Sequence, residues 1–359
     1  MFKKPSVKEV KTDIASLQIY LRATKKFGKT TLFRDMVLEK YGDPECGLLV
    51  GCGAEQGYAI LSNLNTTQVE TWQEMVELKD WLIKEKGKEH KIKLIGFDVV
   101  GELLEPAEEE IKKQSFKETG KIAKTFNASF GGYGEPRKRL QKLFKDYFTD
   151  LKKAGFGVVA IAHTKVKNIK EKGDDSEGYN VLTSDLSNDL EGIFGDVFDC
   201  VLTGIIDRDV SDKKVIGEQR KLYLRGTGFV DAGCRFTDGS VPEYIVFDKP
   251  NMAKDVIGVL EEGMRLSAGA NLSKEEFKAK QKKEIEELDK KAEEFTKAQE
   301  NTGMTPEEKA EAHSKIKTNL ASIDMAELQR IMKDYSITDF KDAQAIPDGA
   351  YKELLDLLD

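Results

Sequence analysis

The stretch LQIYLRATKKFGKTTLFRDMVLEKYGD, residues 17–43, decides the fold. An apolar run ends at Leu21, the segment ATKKFGKT follows, and Leu32, Phe33, Met36 and Val37 then recur at the spacing of an amphipathic helix. A strand, a short loop and a helix in that order let backbone N–H groups curl around a phosphate. The helix N-terminus favours anions, a lysine reaches the outer phosphates, and a hydroxyl ligates magnesium. Against the pattern G-x-x-x-x-G-K-[ST], Gly28, Lys29 and Thr30 fit, and Ala23 stands where glycine is expected. If that position needs positive φ, the methyl costs roughly 1–2 kcal/mol. That is a smaller loss than removing the lysine. Thr24, Lys25, Lys26, Phe27, Gly28, Lys29, Thr30 and Thr31 are therefore the expected contacts to ATP and Mg2+, with Lys25 and Lys26 adding positive charge on the loop itself. The expectation is a working but altered loop.

Outward from this stretch, GLLVGC (47–52), IKLIGFDVV (92–100), FGVVAIAH (156–163) and DVFDCVLTGII (196–206) read as strands, several as continuous apolar runs of the kind buried on both faces. Between them, TTLFRDMVLEKYG (30–42), TQVETWQEMVELKDWLIKEKGKE (67–89) and GEPRKRLQKLFKDYFTDLKKAG (134–155) carry helical periodicity. This alternation predicts an α/β fold with a mostly parallel sheet flanked by helices. After Asp207, RKLYLRGTGFVDAGCRF and PEYIVFD predict short antiparallel strands at the sheet edge. From Leu272 to about residue 300 Lys and Glu dominate, with Ile285, Leu288, Ala292 and Phe295 forming one narrow apolar seam. That seam fits a short coiled coil or a solvated helix equally well. Apolar residues return at Leu328, Ile331, Met332, Tyr335, Tyr351, Leu354, Leu355 and Leu358. The predicted organisation is a core over 1–260, a charged helical linker over 261–305 and a small helical C-terminal module over 306–359.

KLIGFD ends in Asp98, a carboxylate able to hold magnesium together with Thr30. Glu55 and Glu102 are the two candidates for a general base acting on water near a γ-phosphate, with Glu55 preferred. His163 closes VVAIAH, where a polar tip at the carboxyl end of a strand faces the usual ligand position of open α/β sheets.

The 359 residues carry a net charge of −7 with 34% charged side chains, which predicts a soluble protein; a local basic patch still permits nucleic acid as a partner. Cys46, Cys52, Cys200 and Cys234 lack CxxC spacing, arguing against a zinc site and for reduced thiols. No signal peptide or bilayer-spanning run is evident, so a cytoplasmic location without membrane association is expected. Two segments have the chemistry that single-stranded DNA needs, charge for the backbone and flat rings for unstacked bases. One is TKVKNIKEKGDDSEGYNVLTSD (164–185), read as a long polar loop with Lys165, Lys167 and Lys170. The other, IKKQSFKETGKIAKTFNASFGGYGEPRKRL (111–140), presents Lys121, Lys124, Tyr133 and Arg137.

GKTT after the first strand, a carboxylate after the second, the strand ending in Asp98 and a polar residue closing the next resemble the RecA-like core P-loop ATPases. GFDVVGELLE, GGYGEPRKRL, GVVAIAHTK and YLRGTGFVDAGCRF are similar to segments of phage-encoded nucleotide-binding proteins associated with single-strand annealing and recombination. The resemblance spans about residues 12–250 and implies a RecA-like P-loop NTPase core. It further implies ATP held between protomers of a homo-oligomeric ring or filament, and DNA held by loops at the inner edge. By position, Lys29 and Thr30 match the phosphate-binding pair, Asp98 the magnesium carboxylate, Glu55 the catalytic glutamate and His163 the sensor. Arg225 or Arg235 would reach a neighbour's γ-phosphate. The expected function is an ATPase acting on single-stranded DNA in phage recombination or replication, its C-terminal module recruiting a recombination or replication protein. The alternatives are a nucleotide-responsive scaffold without turnover and a helicase or loader motor on duplex DNA.

Overall fold

Alternate residues of β1 (Gln18–Ala23) point to opposite faces, as the period of a strand demands: Ile19, Leu21 and Ala23 enter one apolar cluster and Tyr20 another. The strand is buried throughout, which explains why its sequence is a nearly continuous apolar run. The computed structural model describes the chain apart from residues 1–10, 54–60, 171–176, 212–213, 248–249, 251, 269–271, 301–305, 321–322, 324, 336, 338–339, 341–342, 344–345 and 359.

Strand β1 lies between β5 (Gly157–Ile169) and β7 (Cys200–Ser211), and the sheet continues from β5 through β4 (Leu94–Asp98) and β2 (Gly47–Cys52) to β3 (Asn65–Val69). All six are parallel. Beyond β7 come β8 (Lys214–Tyr223) and β10 (Tyr244–Val246), both antiparallel to their neighbours, while β9 (Gly233–Cys234) pairs with the start of β7 and β6 (Tyr179–Ser184) with the end of β5. On one face pack α1 (Lys29–Tyr41) and α6 (Met252–Ser267); the other carries α2 (Trp72–Lys84), α3 (Leu104–Thr119), α4 (Glu135–Lys153) and α5 (Asn188–Val197). The expected α/β architecture is present. Its strand order, with one strand separating the GKTT strand from the strand that ends in Asp98, is that of a RecA-like P-loop NTPase core.

Four local differences from the sequence reading have physical causes. Residues 67–69, read as the start of a helix, belong to edge strand β3: Thr66, Thr67 and Val69 are β-branched and pair with β2. The helix begins only after Thr71, whose side chain and Glu74 form a capping box. Helix α5 was not anticipated, because its ten residues contain two glycines. The segment after His163 is no loop. Strand β5 runs six residues past its last pairing with β1 and is matched by β6, making a β-ribbon arm from Thr164 to Ser184 whose tip lies outside the described residues. A second ribbon, β7 with β8, likewise extends beyond the last β1 pairing at Gly204. Both arms rise from the carboxyl edge of the parallel strands.

The described residues divide into units Met1–Phe295 and Thr296–Asp359. The division falls well after residue 260, because α7 (Lys274–Glu300) is docked on the core through its first two thirds. Phe277, Leu288 and Ala292 are buried, Glu284 accepts from the Thr12 hydroxyl at 2.6 Å, and Lys93 pairs with Asp289 at 2.5 Å. The apolar seam therefore meets the core and not a coiled-coil partner. Buried Lys86 donates to the carbonyls of Gly155 (2.9 Å), Leu288 (2.9 Å) and Ala154 (3.3 Å) and lies 4.1 Å from the centre of the Phe156 ring. Burial pushes its pKa down to about 7. Because the folded value lies below the unfolded one, near 10.4, the unfolded chain binds more protons across this interval and stability rises with pH from about 7 to about 10. Urea melts at a series of pH values should show that rise in the wild type and a flatter profile in Lys86→Met. Equal slopes would remove Lys86 as its cause.

The unit Thr296–Asp359 contains α8 (Pro306–Thr318), α9 (Met325–Asp334) and α10 (Asp348–Asp356), packed around Ile316, Ile331, Ile346, Tyr351 and Leu354. Buried His313 faces the Tyr351 hydroxyl at 3.0 Å, and that hydroxyl donates to the Ala343 carbonyl at 2.9 Å. No helix among the described residues is long and apolar enough to cross a membrane.

Candidate phosphate-binding site at the carboxyl edge

The parallel register brings Ala23 of β1 beside His163 of β5, and Asp98 of β4 beside Ile161. The ends of β1 and β4 and the His163 position of β5 therefore converge where α1 begins. Gly28, with φ 107°, stands immediately before that helix, and no side chain caps the helix's first turn. A helix start of this kind favours an anion.

Ala23 is the last residue of an extended strand and does not adopt positive φ; Lys26 does, at 65°. The strain anticipated at the altered position is therefore absent. The extra methyl is accommodated by its register partner on β7, Gly204, where a Cβ would stand 2.8 Å from the Ala23 Cβ and 2.6 Å from the Phe27 ring. Ala23→Gly should consequently not improve the loop. Glycine in a strand costs roughly 0.5–1 kcal/mol, so thermal stability should fall slightly while ATP affinity, read by calorimetry, stays within about twofold. A tenfold gain would show that the methyl obstructs binding.

Phe27 has no exposed surface and stacks on Phe247 at 4.6 Å. Its side chain anchors the loop and leaves its backbone for a nucleotide. The Lys29 ammonium is buried. It donates to the carbonyls of Ala23 (3.0 Å) and Thr24 (3.1 Å) and lies 3.1 Å from His163 Nδ1. Partial burial and then the Lys29 charge hold the His163 pKa below its usual value, so the ring is neutral, with Nδ1 accepting from the ammonium. Thr30 donates its hydroxyl to Asp98 Oδ2 at 2.7 Å, and Asp98 is itself buried. The Thr24 hydroxyl is buried without a partner among the described residues. Lys25, Lys26 and Thr31 are exposed around the loop.

Glu102 sits in a 3-10 turn, Val100–Leu103, directly after β4, and lies against the end of β2: a Cβ at Gly53 would stand 3.1 Å from its own Cβ. With His163, Asp185 and Ser187 it lines a cavity of about 220 Å³. Asp185, which reasoning from sequence missed, donates its backbone N–H to the His163 carbonyl at 3.0 Å. Glu55 lies outside the described residues. Larger clefts, about 770 Å³ beside β3 and about 1170 Å³ along α6, contain none of these groups.

The two arginines proposed as trans-acting cations are placed differently. Arg225 is exposed in the segment after β8. Arg235 follows β9 at the start of β7, the opposite end of the sheet from the loop, and its guanidinium donates to the Asp196 carbonyl. It is committed within its own subunit. Of the basic residues, Lys165 and Lys170 are exposed on the first arm, and Lys167 donates to the Leu186 carbonyl at 3.0 Å. Lys121, Lys124 and Tyr133 are exposed between α3 and α4, whereas Arg137 pairs with Asp189 at 3.5 Å. Asp189 adjoins Leu190, which lines the cavity, so this segment reaches the same edge.

The AAA domain family (AAA_24) matches residues 15–236, from just before the first strand to just past β9. The chain belongs to this family. The matched AAA domain contains the loop, Asp98, His163 and both arms, and it leaves out α6, α7 and the C-terminal unit. Among solved structures, a KaiC-like protein from the hyperthermophilic archaeon Pyrococcus horikoshii is similar at 11% identity and a TM-score of 0.34, over 65% of this chain and 90% of that one. None of the curated proteins matches.

Proposed function

We propose that this AAA domain protein binds ATP with Mg2+ at residues 23–31 and hydrolyses it. The observation that carries the reading is the convergence of Lys29, the Thr30–Asp98 pair and His163 at the uncapped start of α1. A hydroxyl and a carboxylate are the hard oxygen donors magnesium accepts, and an ion that keeps most of its waters and takes phosphate oxygens needs few protein ligands. The partnerless Thr24 hydroxyl also fits a loop built to meet a polar ligand. Thr30 and Asp98 would hold the metal, which supplies neutralisation of phosphate charge. Lys29 and the first-turn amides would bind the outer phosphates, His163 would sense them, and Glu102 or Glu55 would orient the attacking water. Arg225 would serve a neighbouring protomer's site.

The chain is further read as acting on single-stranded DNA, as a homo-oligomer, in phage recombination or replication. Support comes from Lys165 and Lys170 on an arm rooted beside His163, and from exposed Lys121, Lys124 and Tyr133 near the same edge. The C-terminal unit would recruit a recombination or replication protein. One observation favours a non-hydrolysing scaffold instead: Lys29 is already engaged by two loop carbonyls and His163. Phosphate release with and without a single-stranded oligonucleotide, beside a calorimetric ATP titration, separates the two. Binding with DNA-stimulated release supports the enzyme, binding without release the scaffold, and no binding refutes both.

A further inference from the structure

Arg22 immediately precedes the residue that opens the loop, and it has no exposed surface. A guanidinium carries five N–H donors, and here all three of its nitrogens are engaged. Nε donates to the Thr203 hydroxyl (2.9 Å), Nη1 to the Thr183 hydroxyl (3.0 Å) and to Glu191 Oε1 (2.5 Å), and Nη2 to the Asp231 carbonyl (2.6 Å), with Asp231 Oδ2 as a counter-ion 2.6 Å from the same nitrogen. These partners come from four places: β7, the root of the β5–β6 arm, α5, and the segment before β9.

The partners also hold one another. Thr183 donates to Asp231 Oδ2 at 3.1 Å, Thr203 to the Asp231 carbonyl at 2.5 Å, and the Tyr20 hydroxyl to Glu191 at 2.9 Å, while Ser184 bonds the same carboxylate. The arm's root is tied to that segment through the backbone as well, Leu182 N–H to the Phe229 carbonyl and Asp231 N–H to the Leu182 carbonyl. Stability alone gives little reason for this arrangement, because a buried ion pair is commonly replaced without loss by packed apolar residues. What a buried charged fork engaged at all three nitrogens does provide is a single permitted geometry for everything it touches.

On the other side of Arg22, the carbonyls of Ala23 and Thr24 are held by the Lys29 ammonium. A phosphate on the loop competes for that ammonium. When it is drawn away, the strand end that carries Arg22 loses its restraint.

We propose that Arg22 is a positioning residue that ties the β5–β6 arm to the state of the phosphate loop, so that nucleotide bound at residues 23–30 is felt at the arm's root. The inference rests on nucleotide binding there. Hydrogen exchange of the full-length protein, with and without a slowly hydrolysed ATP analogue and Mg2+, tests it in wild type, Arg22→Met and Asp231→Asn. Asp231 is half exposed, so its variant keeps the test decisive if the fully buried substitution prevents folding. In the wild type the analogue should speed exchange over 164–169 and 179–184 at least fivefold. In both variants that ratio should fall below twofold while analogue affinity stays within threefold. A merely structural Arg22 would raise the arm's basal exchange and leave the ratio intact. An undiminished ratio in Asp231→Asn, or a wild-type arm that ignores bound analogue, overturns the proposal. Absence of analogue binding in calorimetry would remove the nucleotide reading itself, and the proposal with it.

Discussion

Lys29→Ala should lower phosphate release from ATP at least about a hundredfold, the scale on which a single preorganised donor acts in transition-state stabilisation. The ammonium is buried at the meeting point of β1, β5 and α1, and no other described lysine reaches that point: Lys25 and Lys26 point to solvent. Alanine removes the charge and frees the Ala23 and Thr24 carbonyls together. Nucleotide affinity should therefore fall along with turnover. A melting temperature close to the wild type's, measured beside the assay, distinguishes loss of chemistry from loss of fold. Turnover above a tenth of the wild-type rate would place the phosphate site elsewhere.

Gly155→Ala should cost about 3 kcal/mol or more, combining roughly 1–2 kcal/mol for a left-handed alanine with the overpacking of a dense contact. Gly155 has φ 81°, and a Cβ there would stand 2.3 Å from the Leu288 carbonyl oxygen of α7. Neither side yields easily, because both are backbone and Lys86 holds the same carbonyl. Gly120 provides the control: its φ is 68° and nothing lies within 4 Å of its would-be Cβ. Gly120→Ala should show only the conformational cost of about 1–2 kcal/mol. Denaturant midpoints and slopes measure the difference. Equal losses would mean that α7 is not docked where Gly155 and Lys86 place it.

Much of the core was legible because its elements are encoded locally. The apolar runs ending at Leu21, Asp98 and His163 and the helical spacing from Leu32 to Val37 declare themselves within a few residues, and GKT defines the start of α1. Strand β3 and the extension of β5 were misread for the same reason in reverse. NTTQV and TKVKNI become strands only because β2 and β6 lie alongside to pair with them. Charged helix α7 resembled a linker because its sequence cannot reveal that Gly155 leaves room for its backbone.

By itself, the sequence of this chain determined the class of fold, the order of its parallel strands' signals and the loop at residues 23–30, since periodicity and short-range spacing suffice for each. Only the tertiary structure decided that Ala23 is tolerated, that Arg235 faces away from the loop and that Arg22 binds the arm to it. Those outcomes depend on Gly204, Asp196, Glu191 and Asp231. Each lies far along the chain from the residue it governs, and packing alone sets their distances.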